Sequence, residues 1–306
     1  MTFLALSSLS GRPLPVLARA DAQGRVFAEG RIDFAQIGRQ LDALEARFAR
    51  ELDTELREAL DAVVARVKGA GEDYVELSRT LEFPNKQGIG GAFRDALRRA
   101  WDAGGEAATR EATGARAFAE PSFTPRAALR YLREKVFWVT GLLSDDLEEA
   151  IRGVIVSGLK VGKLNSVIID DIREAFAPYL MSGAEPELLP AHRLETIVRT
   201  NTTDAYNHGR LTEFVRPDML PYLNGLAYSA ILDSRTTEGC RFLDGKVFKP
   251  EDAALHQLVP PLHFNCRSLL IPRVVGDEVP EEAFITPAEV EKARGLADER
   301  FLEQRG

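Results

Sequence analysis

The sequence predicts an α+β fold: a mainly α-helical N-terminal region, then a helical domain carrying a small antiparallel β element. Two patterns lead there. From Ile32 to Val215 apolar residues recur at steps of three and four, the spacing of amphipathic helices. Short apolar runs separated by turn signals are confined to residues 226–275. A chain of 306 residues that is 45% hydrophobic can bury a substantial core.

The first 30 residues show no sustained periodicity and read as an extended arm or loop. Phe34, Ile37, Leu41, Leu44, Phe48, Leu52, Leu56, Leu60, Val63 and Val67 then form one stripe, a long helix ending near Lys68-Gly69. The stretch NKQGIGGAF opens a second helix through RDALRRAWDAGGEAATREA. Its glycines invite a phosphate-loop reading, but no apolar strand precedes them and no Gly-Lys-Ser or Gly-Lys-Thr follows. Pro121 and Pro125 mark a boundary. Residues 1–120 are therefore read as an α-helical N-terminal region with an extended arm, 121–275 as a second domain, and 276–306 as an acidic tail.

Within the second domain PRAALRYLREKVFWVTGLL is one helix, and Ser144 followed by Asp145, Asp146 and Glu148 predicts the N-cap and acidic first turn of another. SGLKVGKLNSVIIDDIREAFAPYL reads as a turn and a further helix. RLETIVRTNTTDAYNHGRLTEFV is a helix with a polar face, because Glu195, Arg199 and Thr203 share one side that Tyr206 and Arg210 continue. That face is either solvated or engaged. In the β element, GLAYSAIL is a strand, FLDGKVF sets Asp-Gly between apolar pairs as in a hairpin, and RSLLIPRVV is a third strand that Pro272 assigns to an edge or an end. The tail holds a short acidic helix started by Thr286 and Pro287, suited to docking or to solvent.

Bulk properties narrow the function. The formal charge of −8 argues against a surface built throughout for nucleic acid, while leaving room for a local basic face. No apolar run approaches the ~20 residues that cross a bilayer. The opening MTFLALSSLSGRPLPVLARA has no basic residue ahead of its apolar part, and Ser, Gly and Pro interrupt it, so a secretory signal is not predicted. Two cysteines are too few for a disulfide scaffold and suit a reducing compartment.

Both cysteines and two of the four histidines fall within one short window. Cys240, His256, His263 and Cys266 could supply four ligands to zinc, and the two-residue gap between His263 and Cys266 lets a tight turn present both to one ion. The plain alternative makes the cysteines small buried hydrophobes. A nuclease-like reading, with histidine activating water beside a metal, lacks paired Cys-x-x-Cys knuckles and a second histidine on a following helix. A Cys266–His263 nucleophile pair lacks a third group to orient the base, so no catalytic residue is assigned. Asp233 and Arg235 stand two apart on one side of an extended segment. With Arg199, Arg210 and Arg267 they are read as a structural or anion-binding network, since guanidinium forks hold carboxylates bidentately.

RLETIVRTNTTDAYNHGR, YSAILDSRTTEGCRFLDGKVF and PPLHFNCRSLLIP, in that order, resemble the C-terminal domain of the phage Mu F-like minor head proteins, the phage head morphogenesis family. The resemblance covers roughly residues 125–275, with GLLSDDLEEAIRGVIVSGLKVGKLNSVIIDDIREAF similar to the family's lead-in. Many relatives read Cys-Arg-Cys where this chain has Cys266-Arg267-Ser268, which removes one potential ligand. The resemblance implies a minor structural protein of a tailed-phage or prophage head that is associated with the portal vertex and acts in head assembly, DNA packaging or ejection. It implies location in the virion head, and in the host cytoplasm during assembly. Implied partners are the portal protein, scaffold or major capsid protein, and packaged DNA, with no membrane and no enzymatic role. The alternative from the residues themselves is a metal-dependent hydrolase using the Cys/His cluster.

Overall fold

Helices dominate the computed structural model, which describes residues 5–7, 13–15, 32–70, 74–113, 126–181, 192–297 and 301. Within the segment read as an arm, two three-residue strands, β1 (Ala5–Ser7) and β2 (Pro13–Pro15), pair antiparallel. The first apolar stripe becomes α1 (Phe34–Gly69), started by Asp33, whose carboxylate accepts the Gln36 N–H at 2.8 Å. After the short α2 (Tyr74–Thr80), the glycine-rich stretch opens α3 (Lys86–Thr113), as its sequence suggested. Asn85 takes a left-handed φ of 59° ahead of α3, and its amide donates to the Glu55 carbonyl and carboxylate on α1. Phe48 of α1 meets Phe93 of α3 edge to face at 5.0 Å, within a buried seam that includes Leu52, Leu56 and Val63.

The helix break expected at Ser144 does not occur. Residues Arg126–Lys160 form one continuous α4, with Ser144 fully buried in its interior. Leu143, Leu147, Ile151 and Ile155 run at four-residue intervals through the expected break and are all buried, so one packing stripe overrides a capping signal that is local. The boundary read at Pro121–Pro125 lies outside the described residues. A turn with Gly162 at φ 67° leads into α5 (Asn165–Phe176), and α6 (His192–Phe214) carries the polar face noted above.

α3 and α6 cross at backbone contact. A Cβ on Gly104 would stand 2.0 Å from the Tyr206 carbonyl oxygen, and one on Gly209 would stand 2.1 Å from that of Trp101. The two glycines thus seat each helix on the other's main chain, a separation that any side chain at either point would prevent.

The sheet is β4-β3-β5, all antiparallel: β3 (Leu223–Ser229) lies between β4 (Val247–Phe248) and β5 (Leu269–Val274). Pro272 is on an edge strand, as expected. The Asp-Gly hairpin is not formed. Phe242 and Leu243 belong to α7 (Glu238–Leu243), because Thr237 caps a helix there, its hydroxyl accepting the Cys240 N–H. Asp244 and Gly245 (φ 83°) then lead directly into β4, which pairs with β3. α8 (Ala253–Leu258) follows. In α9 (Pro287–Gly295) Thr286 and Glu289 close a capping box, and Lys292 covers the Phe242 ring at 4.5 Å. The tail helix is therefore docked. Its Ala293 is fully buried against the β module, and Phe301 beyond it meets Phe264 edge to face. Among the described residues no helix is long and apolar enough to cross a membrane.

Candidate functional site

The polar face of α6 is buried and engaged. Arg210 is fully buried: its two terminal nitrogens reach the Glu111 carboxylate of α3 at 2.9 and 2.5 Å, and Nε donates to the Leu270 carbonyl of β5 at 2.8 Å. The rings of Tyr206 and Phe214 flank the guanidinium at 5.7 and 5.4 Å. Burial alone would lower the Arg210 pKa, but the paired Glu111 carboxylate raises it, so the cation persists. Beside it the Asn207 amide accepts from the Leu270 N–H and donates to the Ser268 carbonyl, each near 3.1–3.2 Å. Two side chains of one helix thus take the hydrogen bonds that an additional strand would make at the edge of β5.

About three turns earlier on α6, Arg199 pairs with Glu45 of α1 at 3.3 Å and with Glu195 at 2.5 Å. Burial is the main force on Glu45 and pushes its carboxyl from the usual 4.5 to about 7 despite Arg199. The five residues read as one network therefore separate. Arg210 works with Glu111 and Arg199 with Glu45, while the rest gather around Asp233, where Arg267 donates through Nη2 to both carboxylate oxygens at 2.8 and 2.7 Å. Arg235 approaches the same carboxylate at 3.8 Å from a 44% exposed side chain. Burial raises the Asp233 carboxyl, but the Arg267 hydrogen bonds outweigh it and hold the group below its ordinary value. Burial, then the neighbouring Arg267 cation, lowers Arg235. Asp233 also accepts the Arg235 N–H and so shapes its own loop.

The Cys/His window brings three of its four candidates together. Cys240 on the first turn of α7, and His263 and Cys266 on the turn before β5, offer ligand atoms all within 4.8 Å of one another. His256 is exposed on α8, outside this group. Asn265, at φ 58°, makes the tight turn, and its backbone N–H and side-chain amide are held by the Thr200 and Thr196 hydroxyls of α6, each at 3.0 Å. The sulfurs lie 3.7 Å apart, neither in a disulfide, and the Tyr228 hydroxyl stands 3.1 Å from Cys240 Sγ. Burial favours the thiol at Cys266, but hydrogen bonds from Cys240 and from the Ser268 and Leu262 backbone bring it down to about 6. Its partner Cys240, hydrogen-bonded to Cys266 and buried, is pushed up to about 12.

Sequence reasoning missed Glu45, Glu111 and Asn207. Each lies far along the chain from its partner, and no local pattern marks a carboxylate on one helix as the mate of an arginine on another. The signal that existed was indirect: α6 is too polar on its inward face to pack without buried partners.

Residues 149–271 match the family profile described as Phage Mu protein F like protein. The chain is similar to the Mu-like prophage FluMu F protein of Haemophilus influenzae, 34% identical over 28% of this chain and 20% of that protein. It is also similar to protein F of Escherichia phage Mu, which is named for capsid assembly, at 31% identity over 50% of this chain and 33% of that protein. The chain thus spans a third or less of the length of these relatives. No solved structure matches it.

Proposed function

We propose, starting from the Mu F-like domain at residues 149–271, that this chain is a minor structural protein of a tailed-phage or prophage head. It acts there in head assembly, DNA packaging or ejection, and it sits at the portal vertex with the portal protein as its main partner. The observation that carries this reading is the family match, which includes the α6 helix, the Asp233 loop and the Cys/His turn. The relative from phage Mu, named for capsid assembly, supports it. The internal pairing of Arg199 and Arg210 with carboxylates on α1 and α3 agrees with a rigid scaffold.

A partner contact is favoured by one surface feature. At the turn between α4 and α5, Val161 and Leu164 are 71% and 74% exposed, and Val167 beside them is 40% exposed. Apolar side chains set together at the tip of a helical hairpin form the kind of patch that marks a protein contact. Scaffold or major capsid protein are further partners in this account. Contact with packaged DNA is local and salt-sensitive, because the whole chain carries −8. Co-expression with the portal protein of the same phage provides the test. The chain should co-purify with portal rings, and the Val161→Asp/Leu164→Asp variant should lose that contact while keeping its circular dichroism and melting temperature. A chain that ignores portal rings removes the portal assignment.

A further inference from the structure

We infer that Cys240, His263 and Cys266 bind one zinc ion per chain, through two thiolates and one imidazole, with the fourth tetrahedral position open to water or an incoming ligand. The site is independent of the head-protein reading and rests on geometry. Two thiolates each about 2.3 Å from a tetrahedral zinc lie about 3.8 Å apart. The two sulfurs are 3.7 Å apart, well beyond the ~2.05 Å of a disulfide. An imidazole nitrogen bound at about 2.0–2.1 Å completes a triangle of donors of similar size, and all three donors already lie within 4.8 Å of one another.

The surroundings are also those of a metal site. His263 Nδ1 lies 2.8 Å from the Phe264 carbonyl, so a proton on Nδ1 makes Nε2 the basic nitrogen. A ring nitrogen tied to a backbone carbonyl, with the other carrying the lone pair, is how ligating histidines are usually oriented. The turn that presents His263 and Cys266 is anchored on α6 by Thr196 and Thr200 rather than left to find its shape on binding. Thiolate and imidazole donors select zinc among common divalent ions, whereas magnesium and calcium require oxygen. Because Cys240 belongs to α7 and the other two ligands to the segment entering β5, the ion ties α7 to that segment within the core they share.

The test uses the full chain, stripped of metal and kept reduced under anaerobic conditions, and titrated with zinc against a chromophoric chelator. One equivalent should bind, the melting temperature should rise with zinc, and cobalt in its place should give thiolate charge-transfer and tetrahedral d–d absorption. His263 is only half-buried, so His263→Ala should fold. It should lose more affinity than the roughly 10–100-fold that outer-sphere partners command. Failure of the reduced wild type to take up zinc overturns the inference. So does equal affinity in His263→Ala, or a Cys240–Cys266 disulfide in protein trapped by thiol blocking from zinc-replete cells.

Discussion

Replacing Gly209 by alanine sets two effects of opposite sign against each other. Intrinsic helix propensity favours alanine over glycine by about 1 kcal/mol in a helix interior. At Gly209, however, the new Cβ would stand 2.1 Å from the Trp101 carbonyl oxygen and 2.8 Å from its carbon. That falls about 1.4 Å short of a comfortable ~3.5 Å contact. The obstacle is main chain within α3, so no flexible side chain can swing aside, and the helices must separate. Separation would also stretch the hydrogen bonds of the adjacent Arg210 to Glu111 and Leu270. Overpacking of this kind costs typically about 1–3 kcal/mol and sometimes more, so at the upper end the net loss is about 2 kcal/mol or greater. In a chain of this size that lowers the melting temperature by roughly 3 °C. Gly153→Ala on α4 is the control, since its Cβ would meet nothing within 4 Å and should be neutral or stabilising. Thermal and urea denaturation of both variants decide the matter. A Gly209→Ala chain as stable as the parent would refute the close crossing of α3 and α6.

The Arg210–Glu111 pair should behave as a unit. Arg210→Met or Glu111→Leu alone leaves a buried unpaired charge and should cost about 3–5 kcal/mol, while the double variant recovers most of it, giving strong coupling in a double-mutant cycle by urea unfolding. Glu45 should give stability a particular pH dependence. Its carboxyl sits near 7 when folded against 4.5 when unfolded, so between those values the folded chain holds a proton that the unfolded chain has released. Its contribution therefore declines as pH rises from about 4.5 to 7, and Glu45→Gln should flatten denaturation midpoints across that window. Asp233→Asn should weaken the Arg267 contact and the loop turn together, costing about 1.5–3 kcal/mol, measurable by chemical denaturation and by faster amide exchange at residues 233–236.

Much of the helical architecture was readable because helices announce themselves over many residues. The α1 stripe, the start of α3, the turn ahead of α5 and the helix start at Thr286 and Pro287 all rest on residues close together along the chain. The two errors arose where a short signal competed with a longer one. Ser144 looked like a cap because its following acids form a good first turn, but the Leu143-to-Ile155 packing stripe ran straight through it. Asp244-Gly245 looked like a hairpin, yet Thr237 had already committed the preceding residues to a helix. In the candidate site, the sequence could nominate Cys240, His263 and Cys266 by residue type and spacing. It also nominated His256, since sequence distance cannot say which face of α8 a side chain occupies. Arg199 and Arg210 were identified but their partners on other helices were not, because Glu45 and Glu111 reach α6 through tertiary contacts 154 and 99 positions away.

Quantitative mass spectrometry of purified particles, mature heads and empty heads from the phage or induced prophage that encodes this chain tests the central claim most directly. A minor head component is expected in heads at low copy number relative to the major capsid protein. Its absence from every particle, with the protein found unassembled in the host cytoplasm, would rule out a structural role in the head.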